Sequence, residues 1–166
     1  GTINELNGNP FKTRHGDTKK LSDLYEDTCL YIENINPEIE DKTIKILANT
    51  VLTFSDLITN RMTDYKFDLD KFTNISGKTG IYVPYAYVRA RKLIQDSNVD
   101  ISGTNLVFSE LDETDNNLLR SFLKFEYYFI QALNNNEPHH LADYLYELSN
   151  LFNSMYQNES ILENKN

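Results

Sequence analysis

Gly77-Lys-Thr-Gly-Ile-Tyr-Val-Pro-Tyr-Ala-Tyr-Val-Arg-Ala-Arg91 begins as a turn between two glycines and continues as a predicted helix over roughly 81–97. Pro84 falls in the first turn of this helix, where its missing N–H costs little. Tyr82, Tyr85 and Arg89 stand at i, i+3 and i+7 and therefore share one face. Two aromatic rings and a guanidinium on one face can stack on unpaired nucleic-acid bases. The same spacing also suits ordinary core packing, so these residues alone leave both roles open.

Apolar residues recur at helical spacing on both sides of this stretch and predict an all-α fold, a helical bundle. Further helices are expected over roughly 21–34, 37–62, 115–135 and 138–157. The second of these is predicted to start at Asn36-Pro37-Glu38, with Asn36 as its cap. The last two carry apolar seams that step by four and three residues, and the seams are expected to face each other as an antiparallel pair. The seam residues are Leu118, Phe122, Phe125, Phe129 and Ala132 on the first helix and Leu141, Leu145, Leu148, Phe152 and Met155 on the second.

The segments between the helices are short or polar. Residues 64–70 alternate in polarity and predict an extended segment, after which Asp70 is expected to cap a turn of helix over 71–74. Residues 98–113 form a polar, acidic connector, and the acidic run over 110–115 is read as a solvated face that leads into a helix. Thr114 or Asp115 is predicted to cap that helix. The polar tail from Gln157 is expected to fray.

Composition narrows the class of protein. The chain has 166 residues, 40% hydrophobic and 25% charged, which suits one globular domain with a real core. No apolar run approaches the roughly 18 residues that a membrane span needs. The net charge of −9 argues against a protein that coats nucleic acid non-specifically. A single cysteine, Cys29, excludes an internal disulfide and fits a reducing compartment, so the expected location is cytoplasmic. The adjacent His139 and His140 follow a proline at a helix start, which favours a capping or surface role, and no metal site is predicted.

Residues 1–20 are polar and glycine-bearing, and they predict a loop with turns at Asn7-Gly8 and His15-Gly16. Lys12, Thr13 and Arg14 lie between the glycines of this loop. Cations and backbone donors in such a loop can grip a phosphate or a carboxylate. A solvated loop with ordinary charges is the alternative.

Four segments together resemble the arginyl-tRNA synthetases, a family of class I aminoacyl-tRNA synthetases. The stretch over 77–91 is similar to the family pattern Gly-x-Thr-x-x-Tyr-x-x-Tyr-Ala-x-x-Arg. Each motif is weak or moderate alone, but the four occur in order over nearly the whole chain. The other three are Gly8-Asn-Pro-Phe-Lys-Thr-Arg-His-Gly16 with Leu21-Ser-Asp-Leu24, then Phe54-Ser-Asp-Leu57 with Arg61 and Asp64-Tyr-Lys-Phe-Asp68, and finally Glu137-Pro-His-His-Leu-Ala-Asp-Tyr-Leu-Tyr-Glu-Leu148 continuing to Tyr156.

The resemblance implies a helical anticodon-binding domain of the DALR type over 21–166. It implies that the anticodon loop of an arginine tRNA is the partner, with no membrane and no DNA involved. The implied contacts to the loop come from Tyr82, Tyr85, Arg89 and Tyr156. Arg91 and Lys92 lie just beyond Arg89 and are candidates for backbone phosphates.

The resemblance also implies that residues 1–20 are a remnant of the catalytic signature loop and a linker. In the family this loop closes over ATP, with Mg²⁺, during adenylate formation, which assigns Lys12, Thr13 and Arg14 to the ATP loop. The chain carries no His-x-Gly-His signature and no nucleotide-binding βαβ unit, so it is not expected to attach arginine by itself. The catalytic body of the same enzyme is then its second partner. A free-standing, non-catalytic paralogue that binds tRNA or protein is the alternative, and a helical domain without a nucleic-acid role is a third.

Departures from the family pattern add one structural expectation. Pro84 stands where glutamine is frequent and Ile81 where proline is common. The chain ends at Asn166, where the family continues with a further apolar helix that packs on the bundle. An exposed apolar face is therefore expected on the helices over 115–157.

Overall fold

The computed structural model describes residues 1–9, 20–97 and 111–158. These residues form helices arranged around two packing centres, with one small sheet. Among them, no helix is long and apolar enough to cross a membrane. The elements are β1 (Ile3–Asn4), α1 (Leu21–Ile35), α2 (Asp41–Leu57), β2 (Tyr65–Lys66), α3 (Leu69–Phe72), α4 (Tyr82–Ser97), α5 (Glu113–Leu123), α6 (Phe125–Asn135) and α7 (His139–Asn158).

The first packing centre is the helix pair α1 and α2. Leu24, Thr28 and Ile32 are buried at intervals of four residues on α1, so α1 presents one continuous face to α2. The matching face of α2 buries Ile44, Ala48, Val51, Phe54 and Ser55. The α1 helix confirms the prediction over 21–34.

The predicted start of α2 was wrong. Asn36 ends α1 rather than capping α2, since its N–H donates to the carbonyl of Ile32 at 3.2 Å. Pro37 then falls in a turn, and α2 begins at Asp41 with Glu40 as its N-cap. Proline is common just after a helix end because it cannot continue the helix, so the Asn-Pro pair suits a stop as well as a start. The end is also earlier than predicted, at Leu57 rather than near residue 62.

A parallel two-stranded sheet closes one side of this pair. Ile3 pairs with Tyr65 and Asn4 with Lys66, so residues 3–4 are a strand and not part of a loop as predicted. The extended segment expected over 64–70 is confirmed at Tyr65–Lys66. The predicted cap of the following turn was wrong, because Asp68 accepts from the N–H of Lys71 at 3.2 Å while Asp70 accepts from the hydroxyl of Tyr31.

The second packing centre is formed by α4, α5, α6 and α7. The single helix predicted over 115–135 is two helices, α5 and α6, that meet at Lys124. The N–H of Lys124 donates to the carbonyl of Ser121 at 3.0 Å, a tightened turn that interrupts the α-helical ladder. The cap of α5 is Asp112, two or three residues earlier than the predicted Thr114 or Asp115, and its side chain accepts from the N–H of Asp115 at 2.8 Å. Of the 98–113 connector, only its last residues lie within the described part.

The α6 and α7 helices are joined by residues 136–138 and pack against each other, as predicted. The ring of Tyr144 lies 5.7 Å from that of Phe125 and 5.4 Å from that of Tyr128, whose hydroxyl donates to Glu147 at 3.0 Å. Asn136 has φ 52°, the left-handed geometry of a helix end, so the predicted stop there is confirmed. The predicted seam is only partly right, because the helix that was expected to carry it is interrupted at Lys124. Ala132 is buried, whereas Phe122, Phe125, Phe129 and Leu145 are exposed.

Candidate nucleic-acid interface

The turn before α4 attaches this helix to the first packing centre. Gly77 has φ +83°, which favours glycine. At Gly80 the chain passes so close to α2 that a Cβ would lie 2.5 Å from the Cα of Val51. Thr79 caps α4, since its hydroxyl accepts from the N–H of Tyr82 at 3.2 Å and donates to the carbonyl of Asn74 at 2.5 Å. The start and direction of α4 are therefore set by contacts outside the helix.

Helices α4 and α7 run parallel along a shared seam. The hydroxyl of Tyr82 donates to Oδ1 of Asn150 at 2.7 Å, and its ring lies 5.5 Å from the ring of Tyr146. Two turns further along α4, Nη1 of Arg89 donates to Oδ1 of Asn153, which follows Asn150 by three residues on α7, at 3.1 Å. Both asparagines thus use their acceptor atoms to hold side chains of α4.

Arg89 is the centre of a group of four side chains, which we call the Arg89 cluster: Tyr85, Arg89, Asn153 and Tyr156. The guanidinium carbon lies 4.1 Å from the ring centre of Tyr85 and 4.9 Å from that of Tyr156. Nη2 of Arg89 also donates to the Tyr85 hydroxyl. Tyr85 is 37% exposed, so part of its ring faces solvent beside a fixed cation. Such an arrangement can receive an unpaired base by stacking and by hydrogen bonds from the guanidinium.

Of the other predicted tRNA-binding residues, Tyr82 and Lys92 lie beside this cluster and Arg91 lies on the far side of α4. Tyr82 is one turn away and half-buried in the α4–α7 seam. Arg91 and Lys92 are exposed. Lys92 follows Arg89 by three residues and is its neighbour on the helix surface, whereas Arg91 is turned by about 200° from it. Lys12, Thr13 and Arg14 lie outside the described residues, as does the predicted turn at His15-Gly16.

Sequence reasoning missed several participants in this seam. Asn150 and Asn153 were not singled out, although two amides within the apolar stepping of α7 are a detectable signal. Lys78 was missed as well, and its ammonium lies 2.6 Å from the Asp143 carboxylate and 5.5 Å from the ring centre of Tyr146.

A possible metal-ligand group occurs at the start of α7. Glu137, His139 and His140 each offer a ligand atom, and these atoms lie within 4.8 Å of one another. Two of these three side chains already contact each other, because Nε2 of His140 lies 3.1 Å from the Glu137 carboxylate. The positive end of the α7 dipole also opposes a bound cation here.

Apolar side chains line a groove between α4, α5 and α7. The groove has a volume of about 380 Å³ and is lined by Val83, Tyr87, Phe122, Leu145 and Phe152 among others. Leu123, Tyr127 and Leu133 are exposed on α5 and α6. The expected exposed apolar face is therefore present on the described helices.

Comparison with known proteins shows a family match over the part of the chain that contains α4 and α7. A family model described as the DALR anticodon binding domain matches residues 83–166. The matched range includes every residue of the Arg89 cluster. This chain belongs to the DALR anticodon-binding domain family. The predicted family is therefore confirmed.

Curated relatives of this DALR domain are named arginine–tRNA ligase. That of Francisella tularensis subsp. tularensis (strain FSC 198) is 37% identical over 165 residues, covering 95% of this chain and 28% of the relative. That of Buchnera aphidicola subsp. Schizaphis graminum is 35% identical over 170 residues, covering 98% of this chain and 29% of the relative. The chain thus spans less than a third of the length of these relatives.

Solved structures agree with the fold of the DALR domain. The arginyl-tRNA synthetase of Thermus thermophilus matches with a TM-score of 0.80 at 22% identity, covering 99% of this chain and 27% of that chain. The arginyl-tRNA synthetase of Plasmodium falciparum matches with a TM-score of 0.67 at 29% identity, covering 86% of this chain and 26% of that chain. The predicted all-α, synthetase-type bundle is therefore confirmed.

Proposed function

We propose that this chain binds the anticodon loop of an arginine tRNA, as the RNA-recognition part of an arginine–tRNA ligase. The observation that carries the proposal is the Arg89 cluster, a cation held between two tyrosine rings with part of one ring open to solvent. The family match covers this cluster, and the relatives carry the ligase name.

Recognition would follow from the chemistry of an unpaired loop. Splayed bases stack on aromatic rings and accept hydrogen bonds from a planar guanidinium. Tyr85 and Tyr156 supply the rings and Arg89 the donors, while Tyr82 offers a further ring one turn away. Exposed Lys92, beside Arg89 on the helix surface, would meet a backbone phosphate of the loop. Arg91 is exposed on the opposite side of α4 and would meet a phosphate only where the RNA extends around the helix. Because the chain carries a net charge of −9, attraction of RNA elsewhere on its surface is weak, which favours binding at this local site.

Attachment of arginine is an activity that we assign to the longer enzyme. In this assignment residues 1–20 adjoin the catalytic part, and Lys12, Thr13 and Arg14 belong to its ATP loop. Residues 21–166 form the anticodon-binding domain. This division rests on the resemblance of the motifs and on the relatives' name.

Binding to an anticodon stem-loop RNA tests the proposal. Fluorescence anisotropy with a labelled arginine-tRNA stem-loop is expected to show saturable binding that weakens with salt. A base–aromatic stack contributes about 1–3 kcal/mol, so Tyr85→Ala should weaken binding about tenfold, and Arg89→Ala by a similar factor. Circular dichroism should show unchanged helicity in both.

Matched substitutions control for surface effects. Tyr87 is an exposed tyrosine of α4 on the side away from Tyr85, and Arg120 is an exposed arginine of α5. Tyr87→Ala and Arg120→Ala should bind the stem-loop like the unaltered chain. Equal losses from Tyr87→Ala and Tyr85→Ala would contradict a specific site at the Arg89 cluster.

A further inference from the structure

We propose that Asn153 is a positioning residue that holds the Arg89 guanidinium in place for its RNA ligand. This inference rests on the proposed function and assigns a role to a residue of α7 outside the predicted contact set. Asn153 acts through Arg89 rather than by touching RNA.

The geometry places Asn153 behind the guanidinium. Its side chain is buried, with 5% exposure, and its Oδ1 accepts from Nη1 of Arg89 at 3.1 Å. The amide orientation is determined by this contact, because the opposite orientation would set amide N–H donors against guanidinium donors. Together with the rings of Tyr85 and Tyr156, the carbonyl oxygen restrains Arg89 from a third side.

The amide nitrogen of Asn153 makes no contact within the described part of the chain that would explain an asparagine at this position. Nδ2 of Asn153 is buried and has no hydrogen-bond partner among the described residues. A buried unpaired donor lowers stability, so an apolar side chain of the same size would suit packing better. The interaction that favours asparagine at this position is therefore the acceptor contact to Arg89.

Restraint of Arg89 matters because arginine has many rotamers. A side chain that is already held loses less conformational entropy when a ligand binds. Asn153→Leu removes the acceptor and keeps the branched shape of the side chain, so the guanidinium keeps its ring contacts but loses its third restraint. We expect stem-loop RNA to bind about three- to tenfold more weakly, which is the effect of freeing one such side chain.

A double-mutant cycle separates positioning from structure. Binding of the arginine-tRNA stem-loop is measured for the unaltered chain, Asn153→Leu, Arg89→Ala and the double variant. If Asn153 acts through Arg89, Asn153→Leu weakens binding in the unaltered chain and has no further effect beside Arg89→Ala. Binding of Asn153→Leu equal to that of the unaltered chain overturns the proposal, as does an equal loss in both backgrounds. Ser154→Leu, at the neighbouring exposed position of α7, is the control and should bind normally.

Two further measurements cover the remaining outcomes. If Asn153→Leu does not fold, the smaller Asn153→Ala replaces it in the cycle, since alanine also removes the acceptor. Weaker RNA binding in the unaltered background alone supports positioning, and binding equal to that of the unaltered chain overturns it. NMR of the Arg89 guanidinium protons needs no RNA. Slow rotation of the guanidinium in the unaltered chain that becomes fast in Asn153→Leu supports positioning. This holds even if the stem-loop fails to bind, because failed binding refutes the proposed function alone. Free rotation of the guanidinium in the unaltered chain overturns the inference.

Discussion

Replacement of Gly80 by alanine should destabilise the protein strongly, because the added carbon meets backbone that cannot yield. A Cβ at this position lies 2.5 Å from the Cα of Val51, 2.7 Å from the carbonyl oxygen of Thr50 and 2.9 Å from the backbone nitrogen of Val51. Unbonded carbons are separated by about 3.5–4.0 Å, so the turn must move away from α2 by about 1 Å. Val51 itself is fully buried, which leaves α2 no direction in which to shift.

The expected cost follows from overpacking. Forced shifts of this kind cost typically 1–3 kcal/mol and occasionally more, and a clash with helix backbone falls at the upper end. Gly80→Ala is therefore expected to lower the free energy of unfolding by about 3 kcal/mol. Because the same turn begins α4, binding of stem-loop RNA at the Arg89 cluster should weaken as well.

Urea denaturation followed by circular dichroism measures this change. Gly77→Ala is the matched control in the same turn, since a Cβ there meets nothing within 4 Å but the backbone has φ +83°. Its cost is the left-handed strain alone, about 1–2 kcal/mol. A midpoint for Gly80→Ala equal to or above that of Gly77→Ala would refute the idea that close approach to α2 holds the turn.

Two further predictions concern stability. Burial, together with the neighbouring charge of Asp56, raises the pKa of Tyr65 from its ordinary value of 10.0 to about 12. Between pH 10 and its folded pKa, the folded state keeps a proton on Tyr65 that the unfolded state loses. The contribution of Tyr65 to stability is therefore present below pH 10 and is lost as the pH rises through the folded pKa. Urea midpoints measured at rising alkaline pH should fall less steeply for Tyr65→Phe than for the unaltered chain, and parallel profiles would contradict this. Asp112→Ala removes the cap of α5 and should lower the free energy of unfolding by about 1 kcal/mol, whereas Asp112→Asn keeps the acceptor and should lower it little. Thermal melts of both variants test this cap assignment, and equal melting temperatures would contradict it.

Helix existence was predictable because it depends on spacing within the chain. The apolar positions of α1, α2 and α7 repeat with the helical period, and each helix formed where that period predicted it. Helix ends were less predictable because the same residues serve two purposes. Asn36-Pro37 ended α1 instead of starting α2, and the tight turn at Lys124 divided a continuous apolar pattern into two helices.

The sequence by itself determined that Tyr82, Tyr85 and Arg89 share a helix face, because the pitch of a helix converts spacing into direction. It also contained the motifs that indicate the family. Only the tertiary structure decided what this face meets. The parallel packing of α4 on α7 brings Tyr156 over the guanidinium and Asn153 behind it, and it ties Tyr82 to Asn150. These contacts join residues more than sixty positions apart, and local periodicity carries no information about which helices become neighbours.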